Sequence, residues 1–153
     1  MVLLDSFDLR NEPVNFYLAS RSVYLAGPID HCTDEEIHEW REKAEDLLAP
    51  MKCYNPADRV FTAQQAADHN KEVVTLDKVE INASDALLVW YKEPAGGSRM
   101  TGTTMEIIHA FERGKLVVII TPYELLSPWV HYHSHRIYSN LEHGVNFIKD
   151  TFK

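Results

Sequence analysis

Glu106 stands early in a helical pattern, flanked by Met105, Ile107 and Ile108. Apolar neighbours imply a partly desolvated carboxylate, and desolvation raises an acid's proton affinity into the range useful to a nucleophile or an acid–base catalyst. A glutamate at that place also serves as a partner for the positive end of the helix dipole, or simply faces solvent. Asp77 and Asp85 are the other carboxylates to weigh. Asp85 directly precedes an apolar run, where an acid commonly caps or closes a turn, and Asp77 by itself reads as a solvated side chain on a helix. Two groups of small residues accompany these acids: Gly27-Pro28-Ile29-Asp30, and Gly96-Gly97-Ser98-Arg99 running into Thr101-Gly102-Thr103-Thr104. A helix start built from small residues offers backbone N–H groups to an anion or to sugar hydroxyls.

The elements that must position these residues alternate in type. Ser22–Ala26 is a short run of strand formers stopped by Gly27-Pro28. Thr33 then supplies a cap oxygen and Asp34, Glu35 and Glu36 an acidic first turn; Ile37, Trp40, Ala44, Leu47 and Leu48 recur at helical spacing until Pro50. Met51–Tyr54 reads as a second strand ending at Asn55-Pro56, followed by a polar loop that includes Asp58, Arg59, His69 and Asn70. Lys71 to Asn82 is expected to be helical on its length and its charged residues, although Val73, Val74 and Thr75 also suit a strand. Ala86–Trp90 is nearly all apolar, as in a parallel strand buried on both faces. A loop over 93–100 leads to a helix from Thr101 to a Gly114 stop, then to a strand over 115–120.

Strands and helices alternating at this spacing predict a doubly wound α/β fold of flavodoxin-like or Rossmann-like kind, one parallel sheet in a single domain spanning 1–153. Residues 1–20 are read as an N-terminal extension, where Pro13 limits helix, and 127–153 as an aromatic and histidine-rich stretch closing in an amphipathic helix around Leu141, Val145, Phe147 and Ile148. In such sheets ligands bind beyond the carboxyl ends of the strands, so the loops after the first and third strands are expected to face each other across the site.

Composition narrows the function classes. A chain of 153 residues suffices for one core. A net charge of −8 argues against a nucleic-acid polymer as partner, because such binding rests on Lys and Arg at phosphates. No apolar run is long enough to span a membrane and no signal-peptide order opens the chain, so a cytoplasmic protein without a membrane partner is expected. Cys32 and Cys53 have no CxxC partner and read as free thiols. His131, His133 and His135 alternate as ligands on one strand face would, but a zinc site needs more ligands of suitable geometry, and neither metal nor cofactor is expected.

Taken in order, Tyr24-Leu25-Ala26-Gly27-Pro28-Ile29, Asn55-Pro56, the 77–85 segment Asp-Lys-Val-Glu-Ile-Asn-Ala-Ser-Asp, and Gly102-Thr103-Thr104-Met105-Glu106 with Gly114-Lys115 resemble the nucleoside 2-deoxyribosyltransferase family and its deoxynucleoside 5′-monophosphate N-glycosidases. The resemblance spans about residues 22 to 121. It implies a small-molecule nucleoside or nucleotide substrate, Glu106 as nucleophile at the anomeric carbon, and Asp77 contacting the base and helping to protonate it. It further implies substrate contacts from Tyr24, Gly27, Pro28, Ile29 and Asp30, and from Arg99, Thr101, Gly102 and Thr103. Transferases of the family carry a second aspartate shortly before the Gly-x-x-x-Glu motif. Ser98-Arg99-Met100-Thr101 has none, and Arg99 would suit a 5′-phosphate. Family members usually complete the site from a neighbouring subunit, so a homo-oligomer, dimer or higher, is expected, with the aromatic stretch after Ser127 at its interface. The competing class is an inactive nucleotide-binding or sensing module. A flavodoxin-type electron carrier is disfavoured, since the loop after the first strand lacks a run that would cradle a flavin phosphate.

Overall fold

The structure, a computed structural model, describes residues 16–59, 63–97 and 100–153. Its elements are β1 (Ser22–Ala26), α1 (Asp34–Leu48), β2 (Lys52–Tyr54), a 3-10 turn (Pro56–Asp58), α2 (Ala63–Asp68), α3 (Asn70–Ala83), β3 (Ala86–Trp90), α4 (Thr101–Glu112), β4 (Leu116–Ile120), α5 (Pro128–Tyr132), β5 (Arg136–Tyr138) and α6 (Leu141–Phe152). All strand pairs are parallel, in the order β2-β1-β3-β4-β5. This is the flavodoxin-like order, with its topological switch between β1 and β3.

Period-2 alternation divides the core between the two faces of the sheet. Val23, Leu25, Leu88, Val118 and Ile120 point toward α1 and α6, where they meet Trp40, Ala44, Leu48, Val145 and Ile148. Tyr24, Ala26, Leu87, Val89, Val117 and Ile119 point to the other side, onto Ile81 of α3, Ile107 and Ala110 of α4 and Val130 of α5. The strands are therefore covered on both sides, which is why β1, β3 and β4 read as unbroken apolar runs. The expected helix start at Thr33 is present as a reciprocal capping box, Glu36 N donating to Thr33 Oγ1 at 3.1 Å and Thr33 N to Glu36 Oε1 at 2.9 Å. Gly114 ends α4 at φ +75°, a conformation that costs other residues strain. Asp85 has the closing role expected of it: its Oδ2 accepts from Ser22 N at 2.9 Å and its Oδ1 from Arg21 at 3.2 Å, joining β1 and β3 at their amino ends.

The connections add detail that the sequence reading did not give. The polar loop after β2 contains a 3-10 turn and α2, and α3 starts at Asn70 rather than Lys71. The three histidines do not share a strand, because Ser127 accepts from Val130 N and Pro128 occupies the first turn, opening a helix there instead. His133 Nδ1 is 2.6 Å from the Trp129 carbonyl, and His135 Nδ1 accepts from Val117 N at 2.9 Å, so both rings serve the backbone. No cluster of three or more metal-ligating side chains occurs among the described residues. β5, a three-residue edge strand, lies in the stretch that the sequence reading gave only as aromatic and histidine-rich. Cys32 and Cys53 are free, and no helix among the described residues is long and apolar enough to cross a membrane.

Candidate active site at the switch point

Tyr24 and Glu106 are brought together by two periodicities. Tyr24 is wholly buried at the middle of β1, on the face toward α3 and α4. On α4 the inward stripe is Thr103, Ile107 and Ala110. Glu106, one turn after Thr103, flanks that stripe and reaches across to β1. The Tyr24 hydroxyl donates to Glu106 Oε2 at 2.5 Å. Of the apolar neighbours noted in the sequence, Ile107 is buried, whereas Met105 faces outward at 59% exposure. The desolvation of Glu106 therefore comes from the sheet and the helices behind it, not from Met105.

The residue keeps some exposed surface, yet burial of the carboxyl group pushes it up to about 8, helped by the negative charge of Asp77. The Tyr24 hydrogen bond and the cations Arg41 and Arg59 pull the other way. Tyr24 is itself raised, by burial first and then by the charges of Glu106 and Asp77, so it remains a donor. Burial thus favours the acid form of Glu106, while the two cations favour its ionised form.

Asp77 lies on α3 beside this pair, and its partner is Arg59. Asn55 accepts from Ala57 N at 3.0 Å and Pro56 starts the 3-10 turn, which delivers Arg59 to the α3 surface. Arg59 Nη2 donates to Asp77 Oδ1 at 2.5 Å and to Glu80 Oε1 at 3.1 Å. The two acids are three residues apart and share a helix face. The charges of Asp77 and Arg59 act on both Tyr24 and Glu106. Tyr24, Glu106, Asp77 and Arg59 thus form one cluster at the sheet's switch point.

The loops after β1 and β3 do face each other. Ala95 N donates to Glu36 Oε2 at 2.8 Å, and a Cβ on Gly96 would lie 3.0 Å from the His31 carbonyl. Pro28 is buried, while Ile29 and Asp30 are exposed on the rim. Gly27 is glycine for a packing reason: a Cβ there would stand 2.8 Å from the Trp40 ring and 3.3 Å from the Trp90 carbonyl. Thr101 and Gly102 are exposed at the start of α4, where a Cβ on Gly102 would meet nothing within 4 Å, and Thr103 is buried. Met100, at the cap position of this helix, makes no side-chain cap hydrogen bond, so among the described residues no side chain caps its first N–H groups. Arg99 lies outside the described residues.

Arg41 was missed by the sequence reading. It is fully buried, its Nη2 donating to the Gly27 carbonyl at 3.0 Å and its Nη1 to Ile37 at 2.7 Å. The signal was present, since Arg41 falls four residues after Ile37 and three before Ala44, on the apolar stripe of α1. Arg59 gave no such signal, because only the folded chain brings it to α3. A separate concavity of about 370 Å³ lies at the opposite, amino ends of the strands, bordered by Arg21, Asp85, Lys115 and Phe152. It contains none of the clustered residues.

The family model described as Nucleoside 2-deoxyribosyltransferase like matches residues 20–123. Among solved structures, the chain superimposes on the 2-deoxyribosyltransferase of the psychrotolerant bacterium Bacillus psychrosaccharolyticus with a TM-score of 0.65 and 19% identity, covering 84% of this chain and 90% of that one. A conserved protein from Enterococcus faecalis V583 gives a TM-score of 0.62 at 18% identity, with 86% and 98% covered. The 2-desoxiribosyltransferase from Leishmania mexicana gives 0.59 at 14%, with 85% and 97% covered. At these identities the superpositions speak for the fold. No curated protein matches significantly by sequence.

Proposed function

Because the chain belongs to the nucleoside 2-deoxyribosyltransferase like family, we propose that it breaks the N-glycosidic bond of a 2-deoxynucleoside or its 5′-monophosphate, passing the sugar through Glu106 to water or to a second base. The observation that carries this reading is the buried Glu106 carboxyl group, hydrogen-bonded by Tyr24 at the carboxyl ends of β1 and β3. As carboxylate it attacks the anomeric carbon, the base departs with the bond's electron pair, and water or an acceptor base then displaces Glu106 from the glycosyl ester. Tyr24 keeps the attacking carboxylate oriented and shares its charge. Asp77, paired with Arg59, is the group we assign to the base, helping to relieve it of negative charge as it leaves. The first turn of α4, which no side chain caps among the described residues, suits a 5′-phosphate.

The test is chromatographic detection of free base from a panel of 2-deoxynucleosides and their 5′-monophosphates, with and without an acceptor base. Release or exchange from at least one member supports the reading. Silence across the panel, with ligand still bound, would make the chain a binding or sensing module.

Tyr24→Phe supplies a second test. Attack needs ionised Glu106, so kcat/KM should rise with pH through about 8. The Tyr24 hydrogen bond lowers that value, so its removal should move the rising limb to higher pH by about one unit and slow the reaction at pH 7 roughly tenfold. An unmoved limb would separate the limb from Glu106.

The surface beside the site also supports the expected homo-oligomer. Val74 and Val79 of α3, Met105 of α4, and Trp129 and Tyr132 of α5 are all more than half exposed. Covering those apolar side chains with a second copy would remove them from water. Sedimentation equilibrium should show a species of at least twice the monomer mass.

A further inference from the structure

The 91–97 loop, which follows β3 and leads toward α4, is fastened at several points. Tyr91 N donates to the Ile120 carbonyl at 2.8 Å and Glu93 N to the Tyr123 hydroxyl at 2.8 Å, which ties the loop to β4 and the segment after it. The Tyr91 hydroxyl lies 3.4 Å from Thr104 Oγ1, two residues before Glu106 on α4. Pro94 to Gly97 form a hydrogen-bonded turn, Gly97 N donating to the Pro94 carbonyl at 2.9 Å, with Ala95 at its first central position. A further fastening reaches α1. Ala95 N donates to Glu36 Oε2 at 2.8 Å, while the other oxygen of that carboxylate accepts from Thr33 N at 2.9 Å. Helix capping uses one Glu36 oxygen and leaves the second, which joins the helix to the loop.

The same helix holds the opposite loop. Arg41 donates to the Gly27 carbonyl at 3.0 Å, and Gly27 leaves β1 three residues after Tyr24. The two loops meet on the α1 side: a Cβ on Gly27 would lie 3.3 Å from the Trp90 carbonyl, and one on Gly96 would lie 3.0 Å from the His31 carbonyl. Tyr24 and its partner Glu106 lie on the other side of the sheet, toward α3 and α4. We propose that Glu36 is a positioning residue for substrate: its carboxylate clamps the 91–97 loop to α1 and so fixes the wall of the crevice between the β1 and β3 loops before a nucleoside enters. The inference rests on the N-glycosidic reading above. A carboxylate accepting from a backbone N–H makes a strong hydrogen bond. The backbone donors Thr33 and Ala95 hold the Glu36 carboxyl below its ordinary value, so the clamp stays charged at neutral pH. A wall that is already ordered adds no ordering cost when substrate binds. The effect falls on binding rather than on attack, because the Tyr24 to Glu106 hydrogen bond does not pass through the loop.

The experiment measures kcat and KM for base release by wild type, Glu36→Ala, Ala95→Pro, the double variant and Thr33→Ala, on the 2-deoxynucleoside or 5′-monophosphate that wild type cleaves best. Proline at 95 removes only the N–H that Glu36 accepts, and it suits the first central position of the Pro94 to Gly97 turn. Thr33→Ala removes the hydroxyl that accepts from Glu36 N and reads helix capping alone. Glu36→Ala and Ala95→Pro are each expected to raise KM about tenfold with kcat changed by no more than about twofold. The double variant should raise KM no further than either single one, since both remove the same bond. The rising limb of kcat/KM should stay where it is in all of them, and Thr33→Ala should lower the thermal midpoint without changing KM. An unchanged KM in Ala95→Pro, or losses that multiply in the double variant, would overturn the assignment. If wild type cleaves no member of the panel, the N-glycosidic reading fails separately. Calorimetric titration with 2′-deoxyadenosine 5′-monophosphate then decides the clamp: a weakening of about tenfold in both Glu36→Ala and Ala95→Pro sustains it, and equal affinity, or no binding by wild type, ends it.

Discussion

Replacing Glu106 by Gln is expected to lower the rate of base release by at least about 10⁴-fold, since the amide cannot form the glycosyl ester. Nucleoside binding should survive, because Gln keeps the shape of the side chain and an oxygen that accepts from Tyr24. The same variant has a stability signature whose sign follows from burial. Glu106 titrates near 8 in the folded chain, against an ordinary value of 4.5. Between those two pH values the folded state holds a proton that the unfolded chain has released, so stability falls as pH rises. The contribution is fully present below 4.5 and is lost as pH passes through about 8. Wild type should lose roughly 4–5 kcal/mol over that window from this residue alone, whereas Glu106→Gln has no proton to lose. Thermal midpoints of the two proteins should therefore converge below about pH 4.5, separate progressively between there and about 8, and stay apart above it, with the variant the more stable. A constant difference at all pH values would mean that the carboxylate is solvated, which would remove the physical basis for its reactivity.

Arg41→Ala is expected to have the largest effect on stability. The guanidinium is 0% exposed, it has no ion-pair partner among the described residues, and its Nε is unpaired. Burial lowers its pKa to about 10, so it remains a cation at neutral pH. Truncation leaves the Gly27 carbonyl without its donor and opens a hole against Trp40, whose ring lies 4.6 Å from the guanidinium carbon. The combined cost is about 3–5 kcal/mol, a large part of the roughly 5–15 kcal/mol that holds a domain together. Arg41→Met fills most of the space and removes a desolvated charge, so it should cost much less. Both variants remove a cation that favours ionised Glu106, and both should move the rising limb of kcat/KM to higher pH. Urea titrations and pH profiles on the pair separate the two roles. Alanine within about 1 kcal/mol of wild type would show that the buried arginine contributes little to holding the β1 loop.

Much of the scaffold was legible from local chemistry. β1, β3 and β4 declare themselves because strands covered on both faces must be apolar at every position. The Thr33 and Glu36 box marks where α1 begins, and Gly114 marks where α4 stops. Glu106 was legible as a carboxylate among apolar residues, although the structure traces its burial to Tyr24 and the sheet and leaves Met105 outside. By contrast, α2, α5 and β5 are too short for a periodicity to emerge, and β5 is a partly exposed edge strand whose Arg136 interrupts any apolar run.

The residues alone determined the class of fold, since alternating strands and helices of these lengths leave few arrangements other than a parallel doubly wound sheet. They also pointed to the carboxyl ends of the strands as the place for a candidate site. Only the tertiary structure decided that β1 lies beside β3, that Tyr24 meets Glu106 across 82 positions of chain, and that Arg59 pairs with Asp77 from an element with no periodic signature. The reason is physical. Burial leaves a trace in local sequence because each buried position must be apolar or paired, whereas a contact between distant side chains depends on how crossovers stack the elements, and no neighbouring residue records that.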